Sequence, residues 1–252
     1  MTAASQPTAC VLIIGNEILS GRTQDANLNF LAKRLGEIGV RLAEARVIPD
    51  LEAVIVATVN HCRAGFDYLI TTGGIGPTHD DITADSIAKA FGVKLIRHPE
   101  AFARLQVHYA RAGIELNEAR LRMANTPEGA ILIDNPVSGA PGFQIGNVFV
   151  LAGIPSIMQA MFEAMHHRLA GGPPTLSRTI TVFLPEGIIA KPLTTLQAQY
   201  PDLELGSYPF YRGQRFGTNL VLRGLDSARI DQAAGRLFGT VKELGGEPEY
   251  SD

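Results

Sequence analysis

Only two cysteines, Cys10 and Cys62, occur among 252 residues, far apart in the chain and outside any C-x-x-C arrangement. That scarcity offers neither a disulfide framework nor a zinc-ligand spacing, and it fits a reducing, cytoplasmic compartment. Long apolar runs are missing too: the longest, Ala53 to Val59, is far too short to span a bilayer, so no membrane partner is expected. Met1 to Cys10 has neither a basic start nor an apolar core, which argues against a secretory signal. Positive charge is not in excess. A formal net charge of −3 and a pI near 6.1 give no general electrostatic case for nucleic acid or an anionic membrane, although local patches remain compatible. Also absent are G-x-x-x-x-G-K-[ST], a complete G-x-G-x-x-G, H-E-x-x-H, a Ser/His/Asp nucleophile elbow and the Arg-Glu dipeptide central to Nudix hydrolases.

What is present is a glycine-punctuated globular composition, with 26 glycines, 46% hydrophobic and 19% charged residues, at a length that allows one or two domains. Val11 to Ile14 reads as a buried strand ending at Gly15, and Leu28, Leu31, Leu35 and Ile38 recur at helical spacing up to Gly39. Arg41 to Val47 is the next strand, and Pro49-Asp50 opens a second helix. This β-α-β-α-β order predicts an α/β fold, a mostly parallel sheet with helices on both faces. Phe143 to Val150 reads as a hairpin turning at Gly146-Asn147. Met158, Met161 and Met165 form a helical stripe best explained as core. His79, His98 and His108 lack ligand spacing, and His166 and His167 suit a helix end.

The chain is organised around Thr71-Thr72-Gly73-Gly74-Ile75-Gly76-Pro77-Thr78-His79-Asp80-Asp81-Ile82-Thr83, between a strand and a helix starting near Thr83. Gly73, Gly74 and Gly76 let a ligand approach the backbone, whose amides can face a phosphate. Asp80 and Asp81 beside such a cradle suit a hard divalent cation shared with phosphate oxygens. The same residues also make a plain strand-to-helix loop with an N-capping aspartate. Earlier, Gly15, Glu17, Ser20, Gly21, Asp25 and Asn27 put carboxylate, hydroxyl and amide groups at a strand's carboxyl end, where ligand loops belong; Asp25 and Asn27 equally suit helix capping. Gly153, Pro155 and Ser156 bring further amides and a hydroxyl to a helix start.

These stretches, with Gly15 to Gly21, Asp25 to Asn27, Pro49-Asp50, Asn135-Pro136, Gly139 to Gly142 and Leu151 to Ser156, resemble the molybdopterin-binding fold of the MogA and MoaB proteins, the CinA N-terminal domain and the N-terminal domain of eukaryotic FAD synthases. The match spans roughly residues 9 to 170 and looks most like CinA; Ala152 stands where proline is more usual. The resemblance implies catalytic roles for Asp50 and Asp81, a metal on Asp80 and Asp81, and nucleotide, phosphate or pterin contacts from Gly15, Glu17, Ser20, Gly21, Asn27, Gly73, Gly74, Gly76, Thr83, Gly153, Pro155 and Ser156. It implies a divalent cation (magnesium, nickel or cobalt) with potassium as a possible companion, molybdopterin as a possible ligand, and self-association as a dimer or trimer. The CinA amidase domain is not expected here, nor deamidation of nicotinamide mononucleotide.

Gly171-Gly172-Pro173-Pro174 reads as a linker, giving domains at 1–170 and 175–252. The second is predicted as a small β-α-β-β-α domain, similar to the KH-like module of CinA but without the G-x-x-G through which KH domains clamp nucleic acid. Its Tyr208, Phe210, Tyr211, Arg212, Arg215 and Phe216 are read as an aromatic, basic connection between strands; this suits base stacking, an interface or a plain hairpin surface, and the acidic chain favours an interface or plain hairpin surface over base stacking. Three functions stand side by side: a metal-dependent pyrophosphatase acting on ADP-ribose, FAD or a related dinucleotide; adenylylation of molybdopterin by ATP; or non-catalytic binding of a nucleotide or pterin.

Overall fold

The computed structural model describes residues 6–251, which fall into two compact units divided between Gly172 and Pro173. In the first, the elements are β1 (Thr8–Ile14), the single turn α1 (Asn16–Leu19), α2 (Asn27–Glu37), β2 (Arg41–Ile48), α3 (Glu52–Gly65), β3 (Tyr68–Thr72), α4 (Thr83–Phe91), β4 (Leu95–Arg97), α5 (Pro99–Ala112), α6 (Glu118–Leu121), β5 (Asn125–Pro127), β6 (Ile131–Ile133), β7 (Gly142–Ile145), β8 (Val148–Leu151) and α7 (Pro155–Met165). The main sheet runs β2-β1-β3-β8-β7-β6, parallel through β8 and antiparallel beyond it. β4 lies outside it, paired antiparallel with β5, a strand too short to announce itself in sequence.

The alternation of β1 explains the layering. Ala9, Val11 and Ile13 pack with Leu31 and Leu35 of α2 and Met158, Met161 and Met165 of α7. Cys10, Leu12 and Ile14 pack with Ile55, Val59 and Cys62 of α3 and Ile87 of α4. Helices therefore cover both faces, and the methionine stripe is core as expected. The two cysteines, remote in sequence, meet in this second layer: their sulfurs lie 3.7 Å apart as free buried thiols. Burial, with Cys62 beside it, pushes the Cys10 thiol up to about 12, so it stays neutral. His79 is exposed, and no described helix is long and apolar enough to cross a membrane.

The second unit contains β9 (Leu176–Val182), α8 (Glu186–Gln199), β10 (Glu204–Arg212), β11 (Arg215–Gly224), α9 (Ser227–Glu243) and β12 (Glu249–Ser251). Its antiparallel sheet has the order β10-β11-β9-β12. Two expectations change. A final strand, β12, pairs with β9, and the aromatic, basic segment is not a connection but the extension of both hairpin strands to a tight turn. Gly213 at φ 57° and Gln214 at φ 60° make that turn type I′, whose twist matches paired strands and keeps the ladder intact to Arg212 and Arg215.

Candidate functional site

The carboxyl ends of β1, β3 and β8 lie side by side, so the loops that follow them converge. Gly73 has φ 101°, and a Cβ there would sit 2.1 Å from the Ile14 carbonyl, so only glycine fits between β1 and β3. Gly153 approaches the same residue: a Cβ on Gly153 would fall 3.3 Å from the Gly73 Cα. Thr83 Oγ donates to the Gly73 carbonyl at 3.0 Å and its N–H to the Gly74 carbonyl at 3.0 Å, fastening the loop to the first turn of α4. Asn27 is 4% exposed, and its Nδ2 donates to the Gly153 carbonyl at 2.8 Å, tying the first loop to the third.

Around these loops lies a cavity of about 570 Å³, within the range of small-molecule sites. Glu17, Gly73, Gly74, Gly76, Asp81, Gly153 and Pro155 line it, as do Thr23, Ile75, Pro77 and Met161. Among the described residues, the N–H groups of Gly74, Ile75 and Gly76 have no hydrogen-bond acceptor. Three consecutive unpartnered amides in cavity-lining residues are the kind of donors from which anion nests are built. An annex of about 50 Å³ adjoins, bounded by Glu17, Asn27, Thr72, Gly73 and Gly153. There Asn27 Oδ1 and Thr72 Oγ are buried without a partner, so a water or a polar ligand group is needed to satisfy them.

The aspartates separate in role. Asp81 borders the cavity, its carboxylate against Gly76, and accepts from the Thr78 N–H at 2.8 Å and from the Thr78 hydroxyl. Asp80 lies off the cavity wall with its side chain 66% exposed. Neither caps α4, whose N-cap is Ile82 without a side-chain bond, so the capping alternative fails for both. Nor does Asp50 cap α3, which begins after an extended Leu51: its Oδ2 accepts the Asn16 N–H at 2.7 Å and pins the start of the first loop. Asp25 does serve a helix start, accepting the Leu28 N–H at 2.9 Å.

Several other expected contacts sit apart from the cavity. Gly15 donates its N–H to the Ile48 carbonyl at 3.1 Å. Ser20 turns back to the Glu17 carbonyl at 3.3 Å, Gly21 holds a left-handed turn at φ 71°, and Ser156 is exposed in the first turn of α7. Thr83 is fully buried and acts through the glycine loop. Conversely, Tyr109, Met123, Ser138 and Ala140 line the cavity and are not among the residues expected there. Ser138 and Ala140 arrive through buried Asn135, whose Nδ2 donates to Ser138 Oγ at 2.6 Å and to the Ala140 carbonyl at 2.7 Å. The Asn135-Pro136 and Gly139-to-Gly142 motifs carried that signal. Tyr109 lies in the last turn of α5 and carries no local mark. Ala152, in place of the more usual proline, has an N–H, which donates to Met161 Sδ at 3.3 Å.

Among the described residues no cluster of three His, Cys, Asp or Glu side chains is arranged to hold a metal. A magnesium-like ion needs only one or two carboxylates together with substrate phosphates, and Asp81 and Glu17 are the carboxylates that line the cavity.

Residues 10–171 match the family model described as "Probable molybdopterin binding domain", and residues 174–245 match "FAD synthase, middle domain". The chain belongs to the MoaB/MogA-type molybdopterin-binding-domain family. Within it the chain is CinA-like. It is 32% identical to a CinA-like protein of Desulfosudis oleivorans across 96% of this chain and 61% of that protein. It is 33% identical to a probable FAD synthase of Caenorhabditis elegans across 89% of this chain and 48% of that protein. The crystal structure of a CinA protein of unknown function from Thermoplasma acidophilum superposes with a TM-score of 0.59 at 33% identity, covering 64% of this chain and 98% of that one.

Proposed function

We propose that this chain is a metal-dependent pyrophosphatase acting on a dinucleotide of the ADP-ribose or FAD type. The observation that carries the reading is the row of free amides at Gly74, Ile75 and Gly76 in the cavity that Asp81 and a second carboxylate, Glu17, also line. The amides receive a diphosphate; Asp81, held in orientation by Thr78, and Glu17 hold a divalent cation against the phosphate oxygens. When bound, that cation offsets the charge developing on phosphorus-bound oxygen. Water adds to one phosphorus as the bridging P–O bond breaks: ADP-ribose and water give AMP and ribose 5-phosphate, and FAD and water give AMP and FMN. Asp50 acts from behind the loop through the Asn16 amide. Self-association into a dimer or trimer accompanies this reading and is read by sedimentation velocity.

A second reading is favoured by the match of residues 10–171 to a probable molybdopterin-binding domain. In it, a pterin phosphate attacks the α-phosphorus of ATP, giving adenylylated pterin and pyrophosphate. Incubation of the whole chain with ADP-ribose and with FAD, with and without magnesium, nickel or cobalt plus potassium, separates the two when products are resolved by chromatography. Metal-dependent AMP, lost in a folded Asp81→Asn variant, is expected. Intact substrates under every metal overturn the pyrophosphatase reading for these dinucleotides and leave adenylyl transfer or simple binding.

A further inference from the structure

The second unit's sheet is covered on one side only. Along β11, Thr218, Leu220 and Leu222 are buried beneath the helices, whereas Asn219 and Val221 between them are half-exposed and Arg223 is exposed. The register places Gly206, Tyr208, Phe210 and Arg212 of β10 on that open face with Arg215, Gly217 and Asn219. Two glycines there are overlain by rings. A Cβ on Gly217 would fall 2.3 Å from Phe210 Cζ, and one on Gly206 would fall 3.0 Å from the Tyr208 ring. Both rings therefore lie down on the sheet instead of standing out from it, and Gly217 is buried under the Phe210 ring. Tyr208 remains 50% exposed.

Cations stand beside these rings. The Arg212 guanidinium lies 5.3 Å from the Phe210 ring centre, and that of Arg215 lies 4.5 Å from the ring of Phe183, which itself meets Phe210 edge-on at 5.5 Å. Among the described residues neither guanidinium has a carboxylate partner, so both are available to an anion. Exposed cation–π contacts are worth only about 0.5–1 kcal/mol, so either arginine can turn to a phosphate. Beyond the rings runs a row of polar side chains, Thr181 bonding Asn219 at 2.8 Å and Ser251 at 2.8 Å.

A second copy of this chain fits the patch poorly. β10, the edge strand, carries Pro209, which blunts edge-to-edge pairing. Flat aromatic faces with unpaired guanidiniums instead complement an occupant that is itself flat and anionic. We infer that the open face of this sheet binds single-stranded nucleic acid without sequence preference, stacking unpaired bases on Tyr208 and Phe210 and drawing phosphates to Arg212 and Arg215. The chain's overall negative charge keeps the affinity modest.

The test uses the whole chain and the fluorescence anisotropy of a labelled oligothymidylate of about twelve nucleotides, a length that spans such a face. A Kd on the order of 10⁻⁵ M at about 50 mM salt is expected. With two phosphates neutralised by Arg212 and Arg215, raising salt to about 200 mM should weaken binding roughly 7-fold. Tyr208→Ala, at an exposed position, should weaken it at least about 5-fold, the loss of one stacked base. Arg215→Gln should flatten the salt dependence, and Asp81→Asn should leave binding unchanged, which separates this surface from the cavity of the first unit. Absence of binding at about 50 mM salt, or equal binding by the Tyr208→Ala and Arg215→Gln chains, overturns the inference. Self-association lost on Tyr208→Ala without any oligonucleotide binding overturns it too and assigns the face to a second copy.

Discussion

The two sheets of this chain solve burial in different ways, and the difference decides where each can meet a ligand. β1 is buried on both sides, its alternate residues divided between two helical layers. Along such a central strand neither face is free, so its chemistry is confined to the loop at its carboxyl end. β11 is buried on one side, and what it offers lies on the other, on the sheet itself. The first arrangement favours glycine, because loops from neighbouring strands must pass within contact distance. The second favours rings and long side chains, because bare pleat has to be covered by something.

The sharpest way to break this comparison is to truncate core residues on adjacent positions. Leu12→Ala and Val11→Ala face opposite layers yet are both fully buried, and each should lower unfolding free energy, Leu12→Ala by about 3–4 kcal/mol in urea titration. In the second unit Leu220→Ala should cost a similar amount, but Val221→Ala less than about 1 kcal/mol. Equal losses at Leu220 and Val221 would show that the second sheet is covered after all. Next in size is Gly73→Ala, which combines a left-handed backbone with a Cβ against the Ile14 carbonyl. It should destabilise by about 3 kcal/mol, against about 1 kcal/mol for Gly213→Ala, whose added Cβ meets nothing within 4 Å.

On activity the same comparison is drawn between two aspartates. Asp81→Asn should lower kcat roughly 100-fold or more, as expected for loss of a group acting on developing charge. Asp50→Asn keeps an oxygen to accept the Asn16 N–H and should change activity by much less. Equal loss in both would place Asp50 in direct contact with substrate. Asn27→Ala removes the bond to the Gly153 carbonyl and should cost about 1 kcal/mol in stability, with a rise in KM as the third loop loosens.

Much of the first unit was legible in the sequence, because its signals are local: strand runs that end in glycine, helices at a period of 3.6, and loop motifs at strand ends. The convergence of the Gly73 and Gly153 loops followed from parallel topology. What local pattern could not show was contact across layers. Cys10 and Cys62 touch because α3 crosses over β1, and Tyr109 reaches the cavity from the last turn of an otherwise ordinary helix. The division of labour among Asp50, Asp80 and Asp81 was equally hidden, since each is an acid beside a helix start and only the hydrogen-bond partners distinguish them. In the second unit the aromatic segment resembled a connection because its arginines and glycines suit turns; a type I′ turn at Gly213-Gln214 lets the ladder continue through it.

The smallest effect tests the end of the first sheet that carries no ligand loop. Asp67, just before β3, accepts the N–H of Thr8 at 2.7 Å and its hydroxyl at 2.8 Å, joining the start of β1 to its neighbour. The Thr8 N–H first, and then its hydroxyl, hold the Asp67 carboxyl below its ordinary value of 3.8. A carboxyl whose folded value is depressed stabilises the fold fully above that ordinary value, and the stabilisation fades as pH falls through the folded one. Asp67→Asn should therefore lower Tm slightly at pH about 7, and the gap between variant and wild type should close as pH drops through about 4 toward 2. Because the group is largely exposed, solvent and salt screen it and the gap should be small. A gap that stays constant across that range would mean that the charge contributes nothing and that the amide's poorer hydrogen bonding to Thr8 alone makes the difference.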